Sequence, residues 1–384
     1  MKALINGNII LKDKILEQHV IIFNKKILDI LTFNDYKQKY KNIEEIDVHG
    51  KYISAGFIDI HIHGANNSDV MDGTRESLEN IAKTIAKNGV TGFLATTMTM
   101  SREDILKALK NIKNNIDIDS GAKILGTHLE GPFINEKYKG AQSSDYILNP
   151  EYKLIENYTD IIKIITYAPE KDKNFEFTHK MCNCHKDITL SIGHSNATYN
   201  IAMEAIQKGA RHITHLFNAM TGLHHRNPGI VGAAFNSDVS CEIIADNIHI
   251  NPANYHIVFK QKSKDKIVLI TDSMRAACLK SGKYDLGGQD VYVDEKAARL
   301  EDGTLAGSIL RLNNAVKNIH DEIDISLVDL INLVTLNPAK IIGVDNIKGS
   351  IKKDKYSDFA IFDKEFNVDM TIVEGKIVYN KGKK

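Results

Sequence analysis

Five short apolar segments of this chain, at 57–64, 124–131, 188–195, 211–216 and 267–273, each close on a histidine or a carboxylate. His61 and His63 end the first, Glu130 the second, His194 the third, His215 the fourth and Asp272 the fifth. Each segment reads as the tip of a β-strand. A parallel barrel carries the C-terminal ends of strands distant in sequence to one face, where such side chains can surround a cation. The ordered set predicts metal-dependent hydrolysis.

The rest of the middle of the chain fits a barrel. Apolar runs near 57–63, 90–97, 123–129, 161–168, 188–194, 211–216, 240–245 and 267–272 read as eight strands, and helical patterns separate several of them. Such patterns lie at 75–88, 101–114 and 198–208, the last closed by Gly209 at the position a helix C-terminus favours. Residues 1–53 read instead as short strands and turns, with an expected hairpin about Asn6-Gly7 and another within 18–27. The stretch 345–384 has the same character. The expected fold is therefore a (β/α)8 barrel over 54–344, with a small β-sandwich domain built from 1–53 and 345–384.

Composition narrows the partners. Lys+Arg and Asp+Glu are equal at 49 each, so no global field favours nucleic acid or an anionic membrane. An anionic small molecule then needs a local cluster of donors. The four cysteines are too few and too unevenly placed for a disulfide framework, and Cys182-Asn183-Cys184-His185 lacks the second half of a zinc module. With no signal-like apolar core at the start and no membrane-length apolar run, a cytoplasmic location is expected.

His61 and His63 stand two apart on a strand, so both rings point to one side. Alone, such a pair is better explained by hydrogen-bonded core histidines. Here Glu130, His194, His215 and Asp272 each end a later strand, and the coincidence favours a divalent ion. Imidazole and carboxylate together do not discriminate sharply among zinc, iron, manganese and cobalt. A divalent ion acidifies its water, and Asp272 is placed to take the proton and return it to a leaving nitrogen.

Several longer motifs resemble the N-acetylglucosamine-6-phosphate deacetylases of the amidohydrolase superfamily. They are His-Leu-Glu-Gly-Pro-Phe at 128–133, Gly-His-Ser-Asn-Ala at 193–197, Thr-His-Leu-Phe-Asn-Ala-Met at 214–220 and Ile-Thr-Asp-Ser-Met at 270–274. Ile-Ala-Asp-Asn-Ile-His at 244–249, Asp-Gly-Thr-Leu-Ala-Gly-Ser at 302–308 and Asn-Pro-Ala-Lys at 337–340 continue the match. The resemblance implies a metal-bearing barrel with a terminal β domain that hydrolyses the acetamide of N-acetyl-D-glucosamine 6-phosphate. It implies that Glu130, His194 and His215 hold the principal ion, that His61 and His63 share Glu130 around a second, and that Asp272 is the acid/base. One or two ions per subunit are expected. It further implies a substrate pocket of Ala141, Gln142, Asn218, Ala219, Arg226, Asp246, Asn247, Ile248, His249, Leu305, Ala306 and Gly307. A homodimer is also implied, in which a neighbouring subunit supplies part of the phosphate anchor.

Two departures from the family pattern stand out. Gln142 occupies a position where some members carry a histidine, so its part in polarising the substrate carbonyl is altered, since an amide donates a hydrogen bond but carries no proton. The loop Gly64-Ala65-Asn66-Asn67-Ser68 is less glycine-rich than the pattern. Of the rival readings, cyclic amidases and deaminases of the two-metal kind use a carboxylated lysine ending the fourth strand, where this chain has Tyr167-Ala168-Pro169 and its Lys163 lies early. A non-catalytic binding barrel would be expected to lose ligands, and all six positions are kept.

Overall fold

The computed structural model describes residues 1–382. Eight parallel strands follow one another around a barrel: Phe57–Ile62, Val90–Thr96, Lys123–Glu130, Ile162–Tyr167, Thr189–Ile192, His212–Ile213, Ser240–Ile244 and Ile267–Ile270. The ring closes between the last strand and the first. Asp272 N donates to His61 O at 2.9 Å, and His63 N donates to Ser273 O at 3.0 Å. Strands covered by helices outside and packed side chains inside bury both faces, so they read as apolar runs rather than alternations. Every residue of the first, second and last barrel strands is buried.

The helices begin where hydroxyl caps permit. Thr74 accepts from Ser77 N before Arg75–Ala86, Ser101 from Asp104 N before Arg102–Asn114, and Thr198 from Ile201 N before Tyr199–Gln207. Leu78, Ile81, Ala82 and Ile85 turn one stripe of the first of these helices into the core.

Both ends of the chain meet in one sheet. It comprises Lys2–Ile10, Ile15–Phe23, Ile27–Thr32, Glu44–Asp47, Tyr52–Ala55, Phe359–Phe362, Val368–Val373 and Lys376–Asn380. The hairpin expected at Asn6-Gly7 is not there: the chain runs straight on, and the turn comes later, where Leu11 N donates to Lys14 O at 2.8 Å. Asn6 does adopt the left-handed conformation that Asn-Gly favours (φ 57°), but as a bulge, with the pairing to Ile15–Phe23 shifting on both sides of Gly7. The bulge marks a change of partner. Before it the strand pairs with Glu44–Asp47, after it with Tyr52–Ala55. A Cβ at Gly7 would lie 2.5 Å from Ile53 Cδ1 and 2.6 Å from Val48 Cγ2, so a side chain there would displace both. The second expected hairpin does form, turning at 24–26.

One element has no counterpart in the expectations. Between the last barrel strand and the helix Leu312–Glu322, the strands Gly282–Leu286, Gln289–Val293 and Ala298–Arg299 form a small antiparallel sheet. It packs through Leu286, Val291, Val293 and Ala298 on Met98, Ala141 and Met274. Among the described residues no helix is long and apolar enough to cross a membrane.

An aromatic seam joins the terminal sheet to the barrel. Phe362, fully buried, lies 5.9 Å from Phe57 of the first barrel strand, 5.9 Å from Tyr52 and 5.7 Å from Phe366. Phe362→Ala is expected to cost about 3–5 kcal/mol, since neighbours on two separate elements cannot both collapse into the space. The measurement is the urea midpoint, and an unchanged midpoint would show that the seam carries no weight.

Candidate active site

The strand ends converge on one carboxylate. Glu130 Oε1 lies 3.1 Å from His194 Nε2, 3.1 Å from His215 Nε2 and 3.3 Å from His61 Nε2. Glu130 Oε2 lies 3.3 Å from His63 Nε2. Asp272 faces the same space, its Oδ1 3.2 Å from His63 Nε2 and 3.5 Å from His61 Nε2. All six side chains are buried. The structure thus brings together every metal or acid/base candidate named from the sequence.

Hydrogen bonds fix which ring nitrogen points inward. His194 Nδ1 lies 2.9 Å from the Tyr138 carbonyl, His215 Nδ1 3.2 Å from the Asn218 carbonyl, and His61 Nδ1 2.9 Å from a Glu242 carboxylate oxygen. Each partner can only accept, so each Nδ1 carries a proton, which leaves Nε2 as the nitrogen that can offer a lone pair to an ion. Two such lone pairs, on His194 and His215, face each other at 3.0 Å. His61 Nε2 is buried without a hydrogen-bond partner. Lone pairs and carboxylate oxygens crowd together in this way only around positive charge. The donors form two sets sharing Glu130, one with His194 and His215 and one with His61 and His63, and both fit a divalent cation.

Backbone conformation aims these side chains. His194 (φ 46°), His215 (φ 29°) and Asp272 (φ 49°) all adopt left-handed backbone where their strands end, an arrangement that costs energy and concentrates at functional sites. Gly193 makes the first of these turns possible. A Cβ there would meet Thr214 Cβ at 2.6 Å and Thr166 Cγ2 at 2.9 Å.

Burial alone would drive protons off His63, but the Asp272 and Glu130 carboxylates push it up to about 10. Burial would likewise raise Glu130, yet His61 and His194 hold it well below the usual carboxylate range. Asp272 is also held low, by His61 and His63 against its burial. The opposite case is His128, pushed down to about 3 by burial and by the nearby His61. It lies beneath the site with its ring 4.5 Å from that of His61, and its nitrogens meet Ile60 O at 3.1 Å and Thr166 Oγ1 at 2.7 Å.

Above the cluster opens a cavity of about 410 Å³. Of the residues named for a substrate pocket, Ala141, Gln142, Asn218, Ala219, His249, Leu305 and Gly307 line it. Six named residues do not. His61 lies under the floor, and Ala306 is fully buried behind its neighbours. Asn247 and Ile248 are not on its wall, Asn247 Oδ1 accepting from the Tyr255 hydroxyl at 3.1 Å, and Asp246 instead holds His249, its Oδ2 2.6 Å from His249 Nδ1. Arg226 departs furthest. It stands exposed on the 222–227 loop against His225 Nε2 (2.7 Å), outside the cavity wall. Gln142 is not free to turn to a substrate either. Its Nε2 donates to Glu130 Oε2 at 3.0 Å, and its Oε1 accepts from Thr99 N at 2.8 Å.

Other residues escaped the sequence reading. Arg299, Gly303, Thr304 and Leu286 line the cavity because the small antiparallel sheet covers one side of the mouth. Glu242 lies beneath the site, and its signal was available: a carboxylate inside the apolar run Ser240–Ile244.

The Amidohydrolase family matches residues 52–378. N-acetylglucosamine-6-phosphate deacetylase of Bacillus subtilis (strain 168) is 39% identical over 333 residues, 84% of this chain and 84% of that protein. N-acetylgalactosamine-6-phosphate deacetylase of Escherichia coli O157:H7 is 33% identical over 327 residues, 84% of this chain and 86% of that protein. The crystal structure of N-acetylglucosamine-6-phosphate deacetylase from Pasteurella multocida aligns with a TM-score of 0.91 at 33% identity, over 98% of this chain and 99% of that one.

A pH dependence follows for the metal-stripped protein. His63 moves from an ordinary value of 6.5 to about 10 on folding, so its protonation stabilises the fold fully below 6.5. That stability drains away as pH rises through 10. The chelator-treated protein should melt at progressively lower temperature across this window, whereas divalent ion, replacing the proton between the same donors, should flatten the profile. Parallel melting profiles with and without ion would count against the cluster as a cation site.

Proposed function

The chain belongs to the amidohydrolase family, and we propose that it hydrolyses the acetamide of N-acetyl-D-glucosamine 6-phosphate to D-glucosamine 6-phosphate and acetate, in amino-sugar catabolism and cell-wall sugar recycling. The convergence of four imidazole Nε2 atoms and Asp272 on Glu130, at the floor of a sugar-sized cavity, carries this reading. The Bacillus subtilis relative, 39% identical over 84% of its length, is an N-acetylglucosamine-6-phosphate deacetylase.

Glu130, His194 and His215 hold one divalent ion in this reading, and His61 and His63 hold a second with Glu130 shared. Zinc, iron, manganese and cobalt all suit these donors. When bound, such an ion acidifies water and polarises an amide carbonyl as a Lewis acid. Asp272 supplies the proton traffic. Kept ionised by its histidine neighbours, it accepts the proton of the attacking water and then delivers it to the amide nitrogen, which otherwise leaves as a poor anion. Gln142 holds the shared carboxylate in place through its bond to Glu130 Oε2.

The sugar phosphate lies between Asn218, the backbone of Ala219 and His249 in this reading. With His249 Nδ1 engaged by Asp246, its Nε2 is the polar atom left for the ligand. Arg299 is the one guanidinium on the cavity wall among the described residues. Arg226 reaches a phosphate only across a subunit boundary, and its loop also exposes Leu223 at 59%. Both features favour a homodimer whose partner completes the anchor.

The test is acetate release by metal-replete protein from N-acetylglucosamine 6-phosphate, its unphosphorylated parent and N-acetylgalactosamine 6-phosphate. Turnover of the first well above the other two is expected. Equal rates on the free sugar would remove the phosphate anchor from the account, and preference for the galactosamine epimer would reassign the substrate. Asp272→Asn should lower kcat by about 10²–10⁴-fold at unchanged metal content.

A further inference from the structure

One buried group has no part in that mechanism. Glu242 sits in the seventh barrel strand with its side chain fully buried. Its Oε2 lies 2.9 Å from His61 Nδ1 and accepts from the backbone N of His215 at 3.0 Å, while its Oε1 lies 3.2 Å from His212 Nε2. His61 holds Glu242 well below the usual carboxylate range, with His212, against full burial. An ionised carboxylate in a barrel interior is costly unless every oxygen is engaged, as here.

The donor atoms of His61, His128 and Glu242 are close enough to raise the question of a further ion. Their engagement answers it. Both His128 nitrogens already meet Ile60 O and Thr166 Oγ1, and His61 Nδ1 already meets Glu242. No imidazole nitrogen of that layer is left for a cation. What the layer does leave is His61 Nε2, buried and without a hydrogen-bond partner, on the side of Glu130 and Asp272.

We propose that Glu242 is a positioning residue for the second ion: it keeps the His61 proton on Nδ1, orients the ring and raises the donor strength of Nε2, so that filling of the His61/His63 set depends on it. The inference rests on the two-ion reading above. The principal set is oriented differently, since His194 and His215 give their Nδ1 protons to the neutral carbonyls of Tyr138 and Asn218. A negative partner makes an imidazole a stronger ligand than a neutral one, and loss of such a partner weakens metal binding by about 10- to 100-fold. The second ion should therefore be the more sensitive to the charge of Glu242, whose one contact with the principal set is the backbone N–H of His215.

The experiment is zinc titration of the chelator-stripped full chain, with bound zinc counted by mass spectrometry and both dissociation constants taken from competition with a chromophoric chelator. Wild type, Glu242→Gln and Glu242→Leu are compared. Gln can keep an oxygen toward His61 and the His215 N–H while losing the charge. It should weaken the second zinc by about tenfold, and Leu by about 100-fold, with the first zinc within about twofold of wild type in the Gln variant. A purely structural role would lower the melting temperature and weaken both ions alike or neither. If Leu fails to fold, Gln decides. A second zinc held at wild-type affinity in Glu242→Gln, or equal weakening of both ions there, overturns the proposal. A wild-type protein that takes up one zinc overturns the two-ion reading itself and Glu242's role with it.

Discussion

Mutual repulsion among electron pairs at the centre of the barrel governs the rest of this structure. Four imidazole Nε2 atoms stand within 3.1–3.3 Å of the two oxygens of Glu130, and Asp272 adds a further negative oxygen. Such a cluster holds together only when positive charge sits among the donors, as protons or as metal. A proton on His63 and a divalent ion compete for this role. Protonation state, metal content and stability are consequently one linked property of the site.

The barrel supplies the counterforce. Eight strands buried on both faces, closed by bonds between 61–63 and 272–273, leave their C-terminal ends little freedom to move apart. That rigidity sustains left-handed backbone at His194, His215 and Asp272. Beneath the ligands lies a second layer of buried polar groups, Glu242, His128, His212 and Thr166, each with partners inside the protein. Above them, the small sheet at 282–299 narrows the mouth of the cavity. The same scaffold thus holds the ligands from below and encloses a substrate from above.

Local pattern carried much of this into the sequence. The eight barrel strands were legible because strands buried on both faces must be apolar throughout, and their polar tips stood out against those runs. The helices at 75–86, 102–114 and 199–207 were legible in their apolar periodicity. Asn6-Gly7 shows where local reading stops. That pair specifies left-handed backbone, which serves a turn or a bulge equally well, and the choice came from the two different strands that flank its own. The small sheet at 282–299 stayed hidden because its strands are short and half exposed. Its apolar residues find partners only in loops of the barrel.

The sequence by itself therefore determined the barrel, the terminal β domain and the identity of the six polar groups at the strand ends, because each is written in a short run of residues. Tertiary structure alone decided how those groups are used. It set which nitrogen of each ring faces inward, because that depends on acceptors as distant as Glu242 is from His61. It tied Gln142 to Glu130, put Arg299 on the cavity wall and left Arg226 on an exposed loop. Hydrogen bonds and burial act through space, and no run of neighbouring residues records them.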